Sequence, residues 1–414
     1  MPSNKDGMRH DIAIYTLTSQ LHDEQAVTAS TREFLDSLGI EFDMKGDDYA
    51  DFGQSPLSLI YVRTGGTEGI FLQLLPQLRK SGQPFRLLTS GTSNSLAASM
   101  EILSYLRQQG LPGEILHGSV QYIQHRIEVL RRVSIARLQL KGCRLGVIGE
   151  PSDWLISSCA SREAVLQRLG IELVDIPMSA LVTRLNKIRS VSKVEPSDSN
   201  NCPPAVQASL QGAEHIYEAL RQLLDDYKLK GFTLRCFDLL SSVRNTGCLA
   251  LARLNSEGFV AGCEGDVPAM LSMAVARSLL GVSGFQANPA SIDPQTGQIT
   301  LAHCTIPLDM VTSYELDTHF ESGIGIGIRG HMAPGPVTLF KLSGDLSRHF
   351  IAQGRLLRGL SRPNLCRTQF VVQLANPSQA HYFLTQPIGN HHILLPGHQA
   401  ELLEAMLATL QPQE

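Results

Sequence analysis

Short apolar runs alternate with amphipathic segments of helical length through the first 140 residues, and that alternation leaves the chain few folds. The runs Asp11–Leu17, Leu57–Val62 and Phe85–Thr89 read as strands buried on both faces, and Glu24–Leu38, Gly69–Lys80 and Ser95–Gln109 as helices. Strands that alternate with helices imply a parallel sheet covered on both sides. Two of the strands pass straight into small polar loops, Arg63-Thr64-Gly65-Gly66-Thr67 and Ser90-Gly91-Thr92-Ser93-Asn94-Ser95. Open α/β sheets bind ligands at such carboxyl ends, where helix N-termini offer free N–H groups, although glycines there also simply let the chain turn.

A second series begins with the strand Cys143–Gly149, which ends in Gly149-Glu150-Pro151-Ser152-Asp153-Trp154. A helix over Ser161–Leu169 and a strand over Ile171–Ile176 follow. Ser190–Pro204 is polar and proline-bearing and reads as an exposed linker. Ala205–Lys228 is a long amphipathic helix, Phe232–Leu239 a strand, and Pro268–Leu280 a helix stopped by Gly281. From about residue 298 the texture turns β-rich: Ile299–Thr305, Gly323–Ile328, Val337–Leu342 and Gln369–Leu374 are strand candidates, with few helix candidates before Glu401–Leu410. The expected architecture is two Rossmann-like parallel α/β domains, residues 1–141 and 142–297, followed by an antiparallel β-barrel-like domain, residues 298–414. That division suits a chain of 414 residues.

Charge and cysteine usage exclude several classes. With 35 basic and 39 acidic side chains the chain has no large basic field for nucleic acid or anionic lipid. Its eight cysteines form no Cys-x-x-Cys pair, and the apolar run Ile12–Leu17 is too short for a signal-peptide core. No apolar stretch is long enough to span a bilayer. The expectation is a reduced, cytoplasmic protein with neither nucleic-acid nor membrane partners.

Candidate chemistry sits where an acid or imidazole meets a strand end. Glu264, in Ala261-Gly262-Cys263-Glu264-Gly265-Asp266, ends a buried strand just before a helix, so its carboxylate points to the ligand face of the sheet. Capping that helix is a role better suited to Asp266. His303 follows the strand Ile299–Ala302, and His391-His392 follows Gly389-Asn390. Adjacent strand residues face opposite ways, so only one of the pair enters a given pocket. Glu264 with these imidazoles makes a mixed oxygen–nitrogen set that suits Mn²⁺ or a similar divalent ion. The run Gly323-Ile324-Gly325-Ile326-Gly327 lacks the strand-to-helix setting of a dinucleotide site and reads as a strand with one small face.

Taken in order, Arg63-Thr64-Gly65-Gly66-Thr67-Glu68, Asn94-Ser95-Leu96-Ala97-Ala98-Ser99-Met100-Glu101, His117-Gly118-Ser119, Gly149-Glu150-Pro151-Ser152-Asp153-Trp154, Cys263-Glu264-Gly265-Asp266, Asn288-Pro289-Ala290-Ser291, Leu301-Ala302-His303-Cys304-Thr305 and Gly389-Asn390-His391-His392 form a set. That set resembles the L-fucose isomerase and L-arabinose isomerase superfamily, in particular its shorter L-fucose isomerase-like branch. The resemblance implies a homo-oligomer, trimeric or hexameric, that isomerises an aldose to a ketose through an ene-diol on a divalent metal, usually Mn²⁺. It implies Glu264, His303 and His391 or His392 as metal ligands, with the arabinose-isomerase pattern favouring His392. It places Gly66, Thr67, Asn94, Ser95, His117, Trp154 and Asn390 about the substrate.

One position departs from the pattern. The second family carboxylate belongs about two dozen residues after Glu264, where this chain has Asn288. An amide carries no charge and is no base near neutral pH. Asp293 and Glu321 are the acids that remain to replace it. Two readings stay open: a metal-dependent sugar isomerase with an altered second carboxylate, and a non-catalytic homologue that binds a sugar or sugar phosphate in a regulatory or partner role.

Overall fold

The computed structural model describes residues 10–188 and 202–410. The chain divides into two compact units, one up to Leu138 and one from Gln139 to Leu410. The first unit holds β1 (Ile12–Leu17), α1 (Glu24–Leu38), β2 (Asp43–Gly46), β3 (Leu57–Val62), α2 (Glu68–Leu78), β4 (Phe85–Leu88), α3 (Ser95–Gln108), β5 (Gly113–Leu116) and most of α4 (Val120–Leu140). Its five strands form one parallel sheet in the order β2-β1-β3-β4-β5. Successive residues of β1 and β3 feed opposite cores: Ala13, Tyr15, Ile60 and Val62 pack with Phe71 and Ile102, while Ile14, Leu59 and Tyr61 pack with Leu35 and Ile127. Burial on both faces explains why these strands read as continuous apolar runs.

The second unit contains a parallel sheet and a barrel. The sheet is built from β6 (Arg144–Ile148), β7 (Glu172–Ile176), β8 (Gly231–Leu234) and β9 (Val260–Cys263), in the order β7-β6-β8-β9. Its helices are α5 (Arg162–Ala164, running into a π turn over Val165–Leu169), α6 (Met178–Leu185), α7 (Pro204–Asp226), α8 (Asp238–Ser242), α9 (Cys248–Ser256) and α10 (Val267–Leu280). A closed antiparallel barrel follows in the order β10-β11-β16-β15-β14-β17: β10 is Phe285–Asp293, β11 Gln298–His303, β14 Gly335–Leu342, β15 His349–Gly359, β16 Thr368–Leu374 and β17 His392–Pro396. The ribbon β12 (Ser313–Asp317) and β13 (Gly327–His331) forms a separate sheet tied to β16 through Thr368, and α11 (His381–Thr385) and α12 (Ala400–Ala408) complete the unit. Closing the barrel leaves no open edge to be protected.

The two layers are tied through side chains as well as through the apolar α10. Gln286 of β10 accepts from the Cys263 N–H at 2.9 Å and donates to the Cys263 carbonyl at 3.2 Å, and Ser272 of α10 accepts from the Leu342 N–H at 2.9 Å. The end of β9 is therefore fixed against the barrel wall. All eight cysteines are free thiols. Among the described residues no helix is long and apolar enough to cross a membrane.

Two expected strands differ from the structure. The run Phe232–Leu239 is not one strand: β8 ends at Leu234, and the rest turns into α8. The apolar run Gly323–Ile328 begins as a turn, with φ of +66° at Gly323 and +67° at Gly325, and β13 starts only at Gly327. A Cβ on Gly325 would lie 2.7 Å from the Thr246 methyl carbon, so the glycine serves close approach rather than a strand face. Most of the Ser190–Pro204 linker lies outside the described residues.

Candidate metal and substrate site

The site begins where β9 stops. Glu264 and Gly265 both take left-handed backbone conformations, φ +64° and +70°, and turn the chain so that Asp266 caps α10 by accepting the Ala269 N–H at 2.8 Å. A Cβ on Gly265 would lie 2.6 Å from the Glu150 carbonyl oxygen, so this position requires glycine. A left-handed glutamate is uncommon and costs roughly 1–2 kcal/mol, and here the strain aims the carboxylate. The loop after β6 closes over it: the Ser152 N–H donates to the Glu264 carbonyl at 2.9 Å, and Trp154 Nε1 donates to Glu264 Oε2 at 2.7 Å.

The other carboxylate oxygen faces two imidazoles. Glu264 Oε1 lies 3.5 Å from His303 Nε2 and 3.4 Å from His391 Nε2. His303 ends β11 and shares a 2.9 Å hydrogen bond between its Nδ1 and Thr305 Oγ1. His391 immediately precedes β17 and donates its Nδ1–H to Asp266 Oδ2 at 2.8 Å. One ligand atom from each of Glu264, His303 and His391 lies within 4.8 Å of the others, and all three residues are buried.

His392 is turned away. Its Nε2 meets the Tyr382 hydroxyl at 3.0 Å, and its ring packs among Phe350, Tyr382 and Phe383. The alternation of side chains along a strand admits one member of the pair, and the geometry differs from the expectation that favoured the second.

The charges within the cluster support one another. Burial would raise the Glu264 carboxyl, but the facing imidazoles of His303 and His391 outweigh burial and hold it far below the usual carboxylate range. Burial likewise pushes His391 down, yet Asp266 and Glu264 hold it up at about 9. His303 is lowered, first by burial. Asp266 is held at about 2 because the Lys341 ammonium and His391 overcome its complete burial. Lys341 Nζ lies 3.4 Å from Asp266 Oδ2.

This donor set fits a divalent cation. Among the described residues His391 Nε2 is a buried polar atom with no hydrogen-bond partner, and it faces the carboxylate that would share the ion. One carboxylate and two imidazoles form an O/N set suited to Mn²⁺-like ions. Metal and proton compete for that nitrogen, and the proton is held up to about pH 9. Affinity for a divalent metal is therefore expected to rise roughly tenfold per pH unit between pH 7 and 9. Calorimetric titrations across that range, in buffers of different ionisation enthalpy, should also detect about one proton released per ion.

An open cavity of about 470 Å³ borders the cluster, lined by Trp154, Leu155, Ser158, Asn288, Gly389 and Asn390 among others. Trp154 is the shared wall: its indole nitrogen holds Glu264 while the side chain remains 52% exposed. Asn390 Nδ2 donates to Asn288 Oδ1 at 3.1 Å, so the two amides form one polar edge of the cavity.

Of the acids that remained to replace the missing carboxylate, Asp293 is solvent-exposed at the far end of β10, where it bonds Thr296. Glu321 lies exposed in the turn between β12 and β13, and partial burial of its carboxyl together with the Glu264 charge raises it. Its neighbour His319 stacks edge-on against Phe237, 5.6 Å between centroids, and Phe237 against Trp154 at 4.9 Å. Ring contacts therefore link that turn to the Trp154 wall.

The expected N-terminal residues gather at the carboxyl edge of the first sheet, within the first unit. Gly66 has φ +73° and Asn94 φ +59°, each just before a helix. Thr67 and Ser95 are fully buried; Thr67 Oγ1 donates to the Thr64 carbonyl at 3.2 Å, and Ser95 Oγ accepts from Thr89 Oγ1 at 2.7 Å. His117 Nδ1 donates to the Thr89 carbonyl at 3.1 Å. Sequence reasoning did not assign Asp266 or Lys341 to the cluster. The available signal was a lone lysine inside the apolar run Val337–Leu342.

No protein-family model matches the chain. The chain is similar to a sulfoquinovose isomerase of Clostridium sp. (strain MSTE9), 25% identical over 278 residues. The alignment covers 60% of this chain and 58% of that protein, less than two-thirds of its length. The relative with which this chain shares its sequence pattern is thus a sugar isomerase.

Proposed function

We propose that the protein is a metal-dependent aldose–ketose isomerase of the L-fucose isomerase-like kind, with an altered second carboxylate. The observation that carries this reading is the buried Glu264–His303–His391 cluster, with His391 Nε2 unsatisfied, near an open cavity with one polar edge. Similarity to a sulfoquinovose isomerase supports a sugar substrate. Glu264, His303 and His391 would hold the ion, for which Mn²⁺ suits the donors. When bound, such an ion polarises a sugar carbonyl and stabilises negative charge on the neighbouring oxygens.

The chain's own residues do the rest. Trp154 fixes Glu264 through Oε2 and leaves Oε1 for the cluster. Asn288 and Asn390 bind and orient sugar hydroxyls, since an amide donates and accepts but does not take a proton near neutral pH. Glu321 carries the proton between C1 and C2. A carboxyl raised by burial and by a neighbouring charge is closer to the operating pH, as a general base requires. In this reading the protein works as a homo-oligomer in the cytoplasm.

The test is to load the purified protein with Mn²⁺ and follow exchange of the C2 proton with D₂O by NMR across deoxy, neutral and sulfonated aldoses. Exchange with at least one sugar is expected; none across a broad panel would overturn the reading. A second reading, sugar or sugar-phosphate binding without turnover, is favoured by the amide at position 288. It predicts thermal stabilisation by a sugar without exchange, and exchange that appears only in Asn288→Asp.

A further inference from the structure

We propose that Lys341 is a positioning residue of the metal cluster: from the barrel wall it anchors the Asp266 carboxylate that orients His391, and so sets how tightly the cluster takes a divalent ion. The inference rests on the metal-binding reading above.

Lys341 lies on β14 between Phe340 and Leu342 and is 1% exposed. Lysine is almost never fully buried without a partner, because desolvating the ammonium is costly. Its partner is Asp266 Oδ2 at 3.4 Å, on a residue with no exposed surface. The same oxygen accepts the His391 Nδ1–H at 2.8 Å, while Oδ1 accepts the Ala269 N–H at the start of α10. One carboxylate is thus gripped by a barrel strand, by a helix N-terminus and by the imidazole itself.

Stability alone does not account for this lysine. A buried ion pair is often replaceable by apolar side chains without loss. Asp266, however, is also the group that places the His391 ring with Nε2 3.4 Å from Glu264 Oε1. With Lys341 gone, Asp266 loses its anchor on the barrel side, and the ring loses a fixed acceptor. Partners standing behind a ligand in this way typically govern metal affinity by roughly 10- to 100-fold.

The test is Co²⁺ titration of the full chain, followed by calorimetry and by the visible absorption of the bound ion. It compares the unmodified protein with Lys341→Met and Lys341→Gln. The dissociation constant is expected to rise roughly 10- to 100-fold in Lys341→Met. It should rise less in Lys341→Gln, whose amide can still donate to Asp266. A folded Lys341→Met that binds Co²⁺ within about twofold of the unmodified protein, with the same absorption bands, would overturn the proposal. Should Lys341→Met not fold, Lys341→Gln decides by the same criterion. Unmodified protein that takes up no Co²⁺ overturns the metal reading and this role with it. Tight binding that neither substitution weakens overturns the role of Lys341 alone.

Discussion

Glu264→Gln is expected to abolish tight divalent-metal binding and to slow C2 proton exchange by at least about 100-fold, with little change in the fold. Among the described residues Glu264 is the carboxylate that faces the Nε2 atoms of both His303 and His391. Removing its charge takes away the anionic ligand and the charge that helps hold the His391 proton in place. A glutamine still accepts the Trp154 N–H, and it keeps the same left-handed backbone, so the turn that carries it is not relieved of strain. Metal titration, exchange by NMR and thermal unfolding on one preparation separate the effects. Loss of binding with a cooperative unfolding curve at a lowered midpoint is the expected pattern. Retained exchange at the unmodified rate would remove Glu264 from the chemistry.

Glu321→Gln is expected to produce the complementary pattern: exchange falls by roughly 10²–10⁴-fold while metal affinity stays unchanged. The carboxyl sits outside the three-residue cluster, yet burial and the Glu264 charge raise it. Glutamine preserves size and hydrogen bonding and removes only the capacity to carry a proton. The rate–pH profile adds a readout that loss of packing would not move, because the fall in rate on the acid side, where Glu321 becomes protonated, should disappear with the carboxylate. Asp293→Gln serves as the comparison, since Asp293 is exposed and bonded within its own turn, and exchange should be unaffected. Equal losses in both variants, or none in either, would dismiss Glu321 as the base.

Much of the α/β part was legible because burial and periodicity coincide there. Leu57–Val62 is buried at every position and had no competing interpretation, and the amphipathic spacing of Glu24–Leu38 matches α1 end to end. Phe232–Leu239 was misread because Cys236 and Leu239 stay buried after the chain turns at Arg235, and periodicity cannot separate a buried strand from a buried helix in so short a run. The Gly323–Ile328 run misled because Gly325 answers to Thr246, a residue about eighty positions away in the chain. Glu264 was visible as an acid at a strand end, but the choice between His391 and His392 depends on the register of β17 in the barrel, where Ala287 pairs with His392. The Lys341–Asp266 contact joins a barrel strand to the cap of a helix, and no local pattern encodes it.

Crystals soaked in Mn²⁺ and measured near the manganese absorption edge test the metal centre most directly. An anomalous peak within bonding distance of Glu264 Oε1, His303 Nε2 and His391 Nε2, lost in Glu264→Gln, is the predicted result. No peak at saturating Mn²⁺, or one centred on His392, would contradict it.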